Sequence, residues 1–129
     1  MRKVICTPHG PRPRGVYSQA IVSGDFVFVA GQIPVNPVTN ALELGDIKAQ
    51  TRRTLDNLQA ILLAAGSSLR DVVRIGVYLA DLADFDAMNE VFRKYFPEDP
   101  PARTTIGANL PKIKIEIDCI ACLGKGNHR

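Results

Sequence analysis

Tryptophan is absent from this 129-residue chain, and histidine occurs only at His9 and His128. One lies in a Pro/Gly-rich stretch and the other in a charged tail. A Ser-His-Asp triad, a His-pair ribonuclease site or a zinc site therefore lacks the imidazoles it needs, and no metal is expected. Neither G-x-G-x-x-G nor G-x-x-x-x-G-K occurs, so nucleotide binding has no local support. Apolar runs such as Phe26 to Ala30 are far too short to cross a bilayer. Met1 to Gly10 has no apolar core, which argues against a signal peptide. Three cysteines cannot all pair within one chain. Cys119 and Cys122 form a C-x-x-C spacing, but the surrounding pattern is a strand, which sends residues three apart to opposite faces; free buried thiols are expected. The +3 formal charge is dispersed over Arg2-Lys3, Arg12, Arg14, Arg52-Arg53, Lys112 and Lys114. No basic stripe is interleaved with aromatics, so nucleic-acid binding gets little support.

What is present is globular. Apolar residues make up 46% and charged residues 22%, and a chain of this length buries roughly two thirds of its unfolded surface. Residues 1–129 are read as one soluble, cytoplasmic domain. Arg2 to Cys6 predicts a short strand, followed by a loop from Thr7 to Gly15. Tyr17 to Ser23 and Phe26 to Ala30 predict two strands joined at Gly24-Asp25, a hairpin signal. Gln32 to Gly45 reads as a long loop. Ile47, Thr51, Leu55, Leu58, Ile61, Leu62 and Ala65 recur at helical spacing, with Asp46 as cap and Gly66 as stop.

Val72 to Ala80 predicts a strand, and Asp84 to Phe96 a second helix with a stripe of Phe85, Met88, Phe92 and Tyr95. Arg103 to Asn109 and Ile113 to Cys122 complete the strands; the latter alternates Ile113, Ile115 and Ile117 with Lys114, Glu116 and Asp118. Residues 124–129 are expected to fray. The order β-β-β-α-β-α-β-β implies an α+β fold with both helices on one face of a mixed sheet. Nothing left in the sequence covers the other face, which points to self-association.

Few side chains remain for chemistry. Arg103 follows the stiff Pro100-Pro101-Ala102 segment, and a guanidinium on a rigid strand end can hold a carboxylate through two parallel hydrogen bonds. Taken alone, an isolated arginine reads as a solvated surface charge. Glu116 lies on the polar side of the last strand and becomes partly desolvated only if a neighbour covers it, when it could orient or deprotonate a water. Tyr17 reads equally as a pocket residue or as a half-buried strand aromatic. Asn89 reads as a solvent-exposed residue near the start of the second helix.

Together, several stretches resemble the Rid (reactive intermediate deaminase, YjgF-type) family over nearly the whole chain. They are Gly15-Val16-Tyr17-Ser18-Gln19-Ala20, Ala30-Gly31-Gln32-Ile33-Pro34-Val35-Asn36-Pro37, Leu55-Asp56-Asn57-Leu58, Ala64-Ala65-Gly66, Phe85 to Asn89, Pro101-Ala102-Arg103, and Leu110-Pro111 leading into Ile115-Glu116-Ile117. The resemblance implies a chorismate-mutase-like fold and a homotrimer with sheets turned inward and pockets between subunits. It also implies hydrolysis of 2-iminopropanoate and 2-iminobutanoate, formed from the enamines released by pyridoxal-phosphate-dependent dehydratases, to the 2-keto acid and ammonia without a cofactor. By motif, Arg103 matches the carboxylate-binding arginine and Glu116 the acid that positions water. Tyr17 and Asn89 match pocket residues, and the backbone of Thr105 a substrate contact.

Three positions depart from the family pattern: Val16 stands where Pro is common, Ala30 where the deaminases usually have Ser, and Thr105 where Cys is frequent. Ala30 removes a pocket hydroxyl, which would alter preference or rate. Two other readings remain: a non-catalytic, carboxylate-binding regulatory trimer, and an endoribonuclease or translation inhibitor. The latter ranks lowest, for want of a basic track.

Overall fold

The computed structural model describes residues 2–124. Its elements follow the expected order: β1 (Arg2–Ile5), β2 (Ala20–Ser23), β3 (Phe26–Gln32), α1 (Ile47–Ala64), β4 (Val72–Leu79), α2 (Phe85–Tyr95), β5 (Ala102–Gly107) and β6 (Ile115–Cys122). They build a six-stranded sheet in the order β1-β2-β3-β6-β4-β5. Every pairing is antiparallel except β4 with β5, which is parallel. That exception follows from connectivity: α2 bridges β4 and β5 as a crossover, whereas a tight turn returns β3 antiparallel to β2.

Local chemistry explains the boundaries. The β2–β3 hairpin turns at Gly24, whose φ of 59° suits a residue without a Cβ. The Asp46 side chain accepts the Ala49 N–H and caps α1, and Gly66, at φ 85°, carries the chain out of the helix. Gly124, assigned to the fraying tail from sequence, instead donates its N–H to the Gly66 carbonyl at 2.8 Å; the rest of that expected tail lies outside the described residues.

Leu55, Leu58, Ile61 and Leu62 of α1 join Met88, Val91 and Phe92 of α2 in one buried cluster with Val27, Val29, Ile75, Val77, Ile115 and Ile117 of the sheet. Each fully buried aliphatic side chain contributes about 1.5–3 kcal/mol relative to exposure. The stripe expected for α2 needs correction at its ends: Phe85 remains exposed and Tyr95 half-buried, while Val91 is buried. Tyr95 turns its hydroxyl to Asp56 at 2.7 Å instead of entering the core.

The alternation in β6 divides the sheet. Ile115, Ile117, Cys119 and Ala121 are buried beneath the helices, and Glu116, Asp118, Ile120 and Cys122 point to the other face. Cys119 and Cys122 thus face apart and both are free thiols, as expected, but of the pair expected to be buried only Cys119 is, Cys122 being half-buried; Cys6 is free and exposed. On the outer face Phe26 and Phe28 are 43% and 44% exposed, and Ile106 is 48% exposed.

Candidate functional site

The residues singled out from sequence gather into two groups on opposite faces of the sheet. Arg103, the second residue of β5 rather than its opener, is paired in register with buried Ile75 and so belongs to the helix-covered face. Its guanidinium carbon stands 5.0 Å from the centroid of the Phe92 ring and 5.4 Å from that of Phe85. Met88 Sδ lies 3.8 Å from its Nη1. Among the described residues the only ion pair is Lys48–Glu90. The charge is therefore held by π faces and a thioether instead of a carboxylate. Burial lowers the Arg103 pKa from its ordinary value, the mark of a cation paying desolvation without a counterion.

A cleft of about 290 Å³ opens beside it, lined by Ile75, Asn89, Phe92, Arg93, Phe96, Pro100, Pro101 and Arg103. Asn89, expected in solvent, is half-buried in this lining, because α2 lies against β5 along the flank that carries it. Thr105 follows on the same face, in register with Val77, and its buried Oγ1 has no hydrogen-bond partner. As β5 is an edge strand, alternate residues turn backbone N–H and C=O groups outward, free for a ligand.

Glu116 belongs to the second group. It is in register with Tyr78 on the outer face, and its carboxylate lies against Gly31, where any Cβ would collide with Oε2. A side chain at position 31 would push the Glu116 carboxylate aside. Desolvation raises the Glu116 pKa above 4.5, and the Asp118 charge raises it further. Asp118 occupies the space over Gly76 and accepts a 2.8 Å hydrogen bond from the Tyr78 hydroxyl. That bond, then burial, raises the Tyr78 pKa.

Ala30 precedes Gly31 and lines an outer-face cavity of about 330 Å³ together with Phe28, Arg74, Tyr78 and Asp118. Tyr17 shares a small hollow with Gly31. It lies before the strand in which it was expected, since β2 begins only at Ala20. Its loop is held by side chains instead: the Tyr17 hydroxyl accepts the Arg14 N–H at 2.9 Å, and Arg14 Nη2 donates to the Asn40 carbonyl.

Sequence reasoning missed the supports. Buried Gln19 accepts the Thr7 N–H and donates to the Thr7 and Pro11 carbonyls. Gln32 donates to the Ala30 carbonyl, and fully buried Asn57 donates to the carbonyls of Ile33 and Val35. Gln50 accepts the Lys114 N–H and donates to Gly45. An amide at a helix position otherwise reserved for apolar residues, such as Asn57 between Leu55 and Leu58, was the available signal.

The family model described as endoribonuclease L-PSP matches residues 7–123. The chain belongs to this family, the YjgF/Rid family. It is 53% identical over 123 residues to a RutC family protein of Pyrococcus horikoshii, covering 94% of this chain and 98% of that one. It is 36% identical to the 2-iminobutanoate/2-iminopropanoate deaminase of Dermatophagoides farinae, over 95% of this chain and 97% of that one. Among solved structures, E. coli TdcF with bound serine superposes with a TM-score of 0.89 at 37% identity, covering 95% of this chain and 99% of that chain. The α+β fold with its two helices is that of Rid structures, and the relatives include reactive intermediate deaminases.

Proposed function

We propose that this Rid protein hydrolyses small 2-imino acids, 2-iminopropanoate and 2-iminobutanoate among them, to the 2-keto acid and ammonia. The observation that carries this reading is Arg103: a partly desolvated cation in a cleft, braced by aromatic rings and with no ion-pair partner among the described residues. Such a group is preorganised for a carboxylate, which it can grip through two charge-assisted hydrogen bonds. The deaminases among the relatives and the serine held by TdcF agree with a small carboxylate ligand.

The chemistry needs little beyond this grip. A protonated imine is already electrophilic. Glu116, its pKa raised by burial and by Asp118, takes a proton from a water as that oxygen bonds to the imine carbon. The resulting carbinolamine collapses when the nitrogen, protonated from Glu116, leaves as ammonia and the hydroxyl proton is given up to form the keto group. Tyr17, Asn89, Ala30 and the Thr105 backbone line the substrate. No cofactor enters the scheme.

Arg103 and Glu116 lie on opposite faces and on strands separated by β4. One small substrate therefore cannot touch both within one protomer. The reading thus requires a site shared between copies, Arg103 and Asn89 from one and Tyr17, Ala30 and Glu116 from the next, in a homotrimer packed through the outer faces. Residues 1–129 then form a single functional unit that supplies both halves. The link to pyridoxal-phosphate-dependent dehydratases is that they release the enamines from which the imine substrate forms.

A second reading, a carboxylate-binding regulator without turnover, is favoured by the serine that TdcF holds. The endoribonuclease reading follows the family model's description, but exposed His9 is the only histidine among the described residues. The deciding assay generates 2-aminoacrylate or its four-carbon homologue in place with a threonine dehydratase and follows keto-acid release, with semicarbazide trapping the remaining imine. Acceleration that disappears in Arg103→Ala is expected. Tight keto-acid binding without acceleration would establish the regulator instead.

A further inference from the structure

The Arg103 cleft holds a second cation that the hydrolysis of a three- or four-carbon imine does not use. Arg93 sits four residues beyond Asn89 on α2, so the two stack along one flank, roughly 6 Å apart along the axis, and both line the cleft with Arg103. Arg93 makes no ion pair among the described residues, while Lys48 and Glu90 on neighbouring surface pair with each other. No carboxylate lines the cleft; its floor is Ile75, Phe92, Phe96, Pro100 and Pro101. At about 290 Å³ the space approaches that of pockets for much larger ligands, which begin at roughly 300 Å³.

Two guanidiniums lining one largely apolar cleft favour an anion lying between them. Arg103, whose burial is uncompensated, is held in place by its rings. Arg93 is exposed, on a long flexible stem, and can follow a ligand's far end. A short acid bearing one carboxylate satisfies only the first. An acid with a second carboxylate two or three carbons away satisfies both, while its methylenes rest on Phe92 and Phe96.

We infer that the preferred substrates are 2-imino dicarboxylates, with Arg103 taking the carboxylate next to the imine and Arg93 the distal one. This rests on the imine-hydrolase reading of the same site and names its substrate class. The reactions that must supply such imines are oxidations of acidic amino acids, which leave the 2-imino dicarboxylate as first product.

The test has a binding arm and a kinetic arm, both on the intact oligomer. Calorimetry compares oxaloacetate and 2-oxoglutarate with pyruvate and 2-oxobutanoate, and inorganic phosphate serves as a control anion. The kinetic arm generates imines with an amino-acid oxidase from aspartate, glutamate or alanine and reads kcat/KM for each. The inference predicts dicarboxylates favoured roughly tenfold or more. Arg93→Gln should collapse that ratio through KM, and Arg93→Lys should restore part of it; circular dichroism checks that both variants fold. A ratio near one, or a preference that survives Arg93→Gln, would overturn the inference and leave the monocarboxylate reading standing. Phosphate binding as tightly as the dicarboxylates would also overturn it, showing a general anion site. If no keto acid binds and no imine is hydrolysed, the imine-hydrolase reading itself fails.

Discussion

At the residue scale, Arg103 and Glu116 sit in unequal environments. Arg103 is half-buried against Phe85, Phe92 and Met88, and a charge-assisted hydrogen bond to it is worth about 1.5–3 kcal/mol. Arg103→Ala should therefore cut kcat/KM by roughly ten- to a hundredfold or more, while thermal unfolding barely moves. Phe92→Leu keeps an apolar side chain but removes a π face, an effect of about 0.5–1 kcal/mol at a half-exposed cation. A severalfold rise in KM at nearly constant kcat is expected from steady-state kinetics.

Glu116, as the proposed base, carries the predicted pH behaviour. Its pKa is raised in the folded state, so the native protein holds this proton more tightly than the unfolded chain does. The associated stability is present below pH 4.5 and is lost as pH rises through the raised folded value. Glu116→Gln should therefore remove that loss, giving a protomer whose melting temperature falls less as pH climbs above 4.5. The same change should lower kcat by about 10²–10⁴. As the base must be ionised to take a proton from water, wild-type kcat/KM should rise across the window in which Glu116 titrates. A flat profile would remove it from that role.

At the element scale, the helices and β6 were legible because their periodicity is strong: steps of three and four in α1, and strict alternation in β6. The start of β2 was not. Tyr17 to Ser23 has strand-like composition, but the Tyr17 hydroxyl accepts the nearby Arg14 N–H and the Gln19 amide binds Thr7 and Pro11 across the loop, and no local pattern announces those distant partners. The candidate site was legible in part for the same reason. Arg103 and Glu116 stood out by type and context, but their separation onto opposite faces depends on strand register. The crowding at Gly31 depends on which side chain lies above it. Gly31→Ala should displace the Glu116 carboxylate and reduce kcat at least about tenfold, with a native circular dichroism spectrum. Asn57→Ala removes its donor from the Val35 carbonyl and leaves the Ile33 carbonyl with only the Val35 N–H, and should cost about 1–3 kcal/mol in urea denaturation.

At the scale of the whole molecule, the proposed shared site gives the outer sheet face a central role. It carries exposed Phe26, Phe28 and Ile106 around the half-buried polar group Tyr78, Glu116 and Asp118. In a trimer packed through this face, assembly and activity are one property. Phe28→Glu would place a charge in the contact, and sedimentation should show monomers that have lost turnover together with association.

The most direct test of a shared site uses two inactive variants. Arg103→Ala and Glu116→Gln are co-refolded in equal amounts, and mixed oligomers are verified by mass spectrometry. If each site takes its arginine from one protomer and its glutamate from the next, random assembly leaves about one site in four intact, and imine hydrolysis returns to roughly a quarter of the wild-type rate. Verified mixed oligomers that stay inactive would contradict the account.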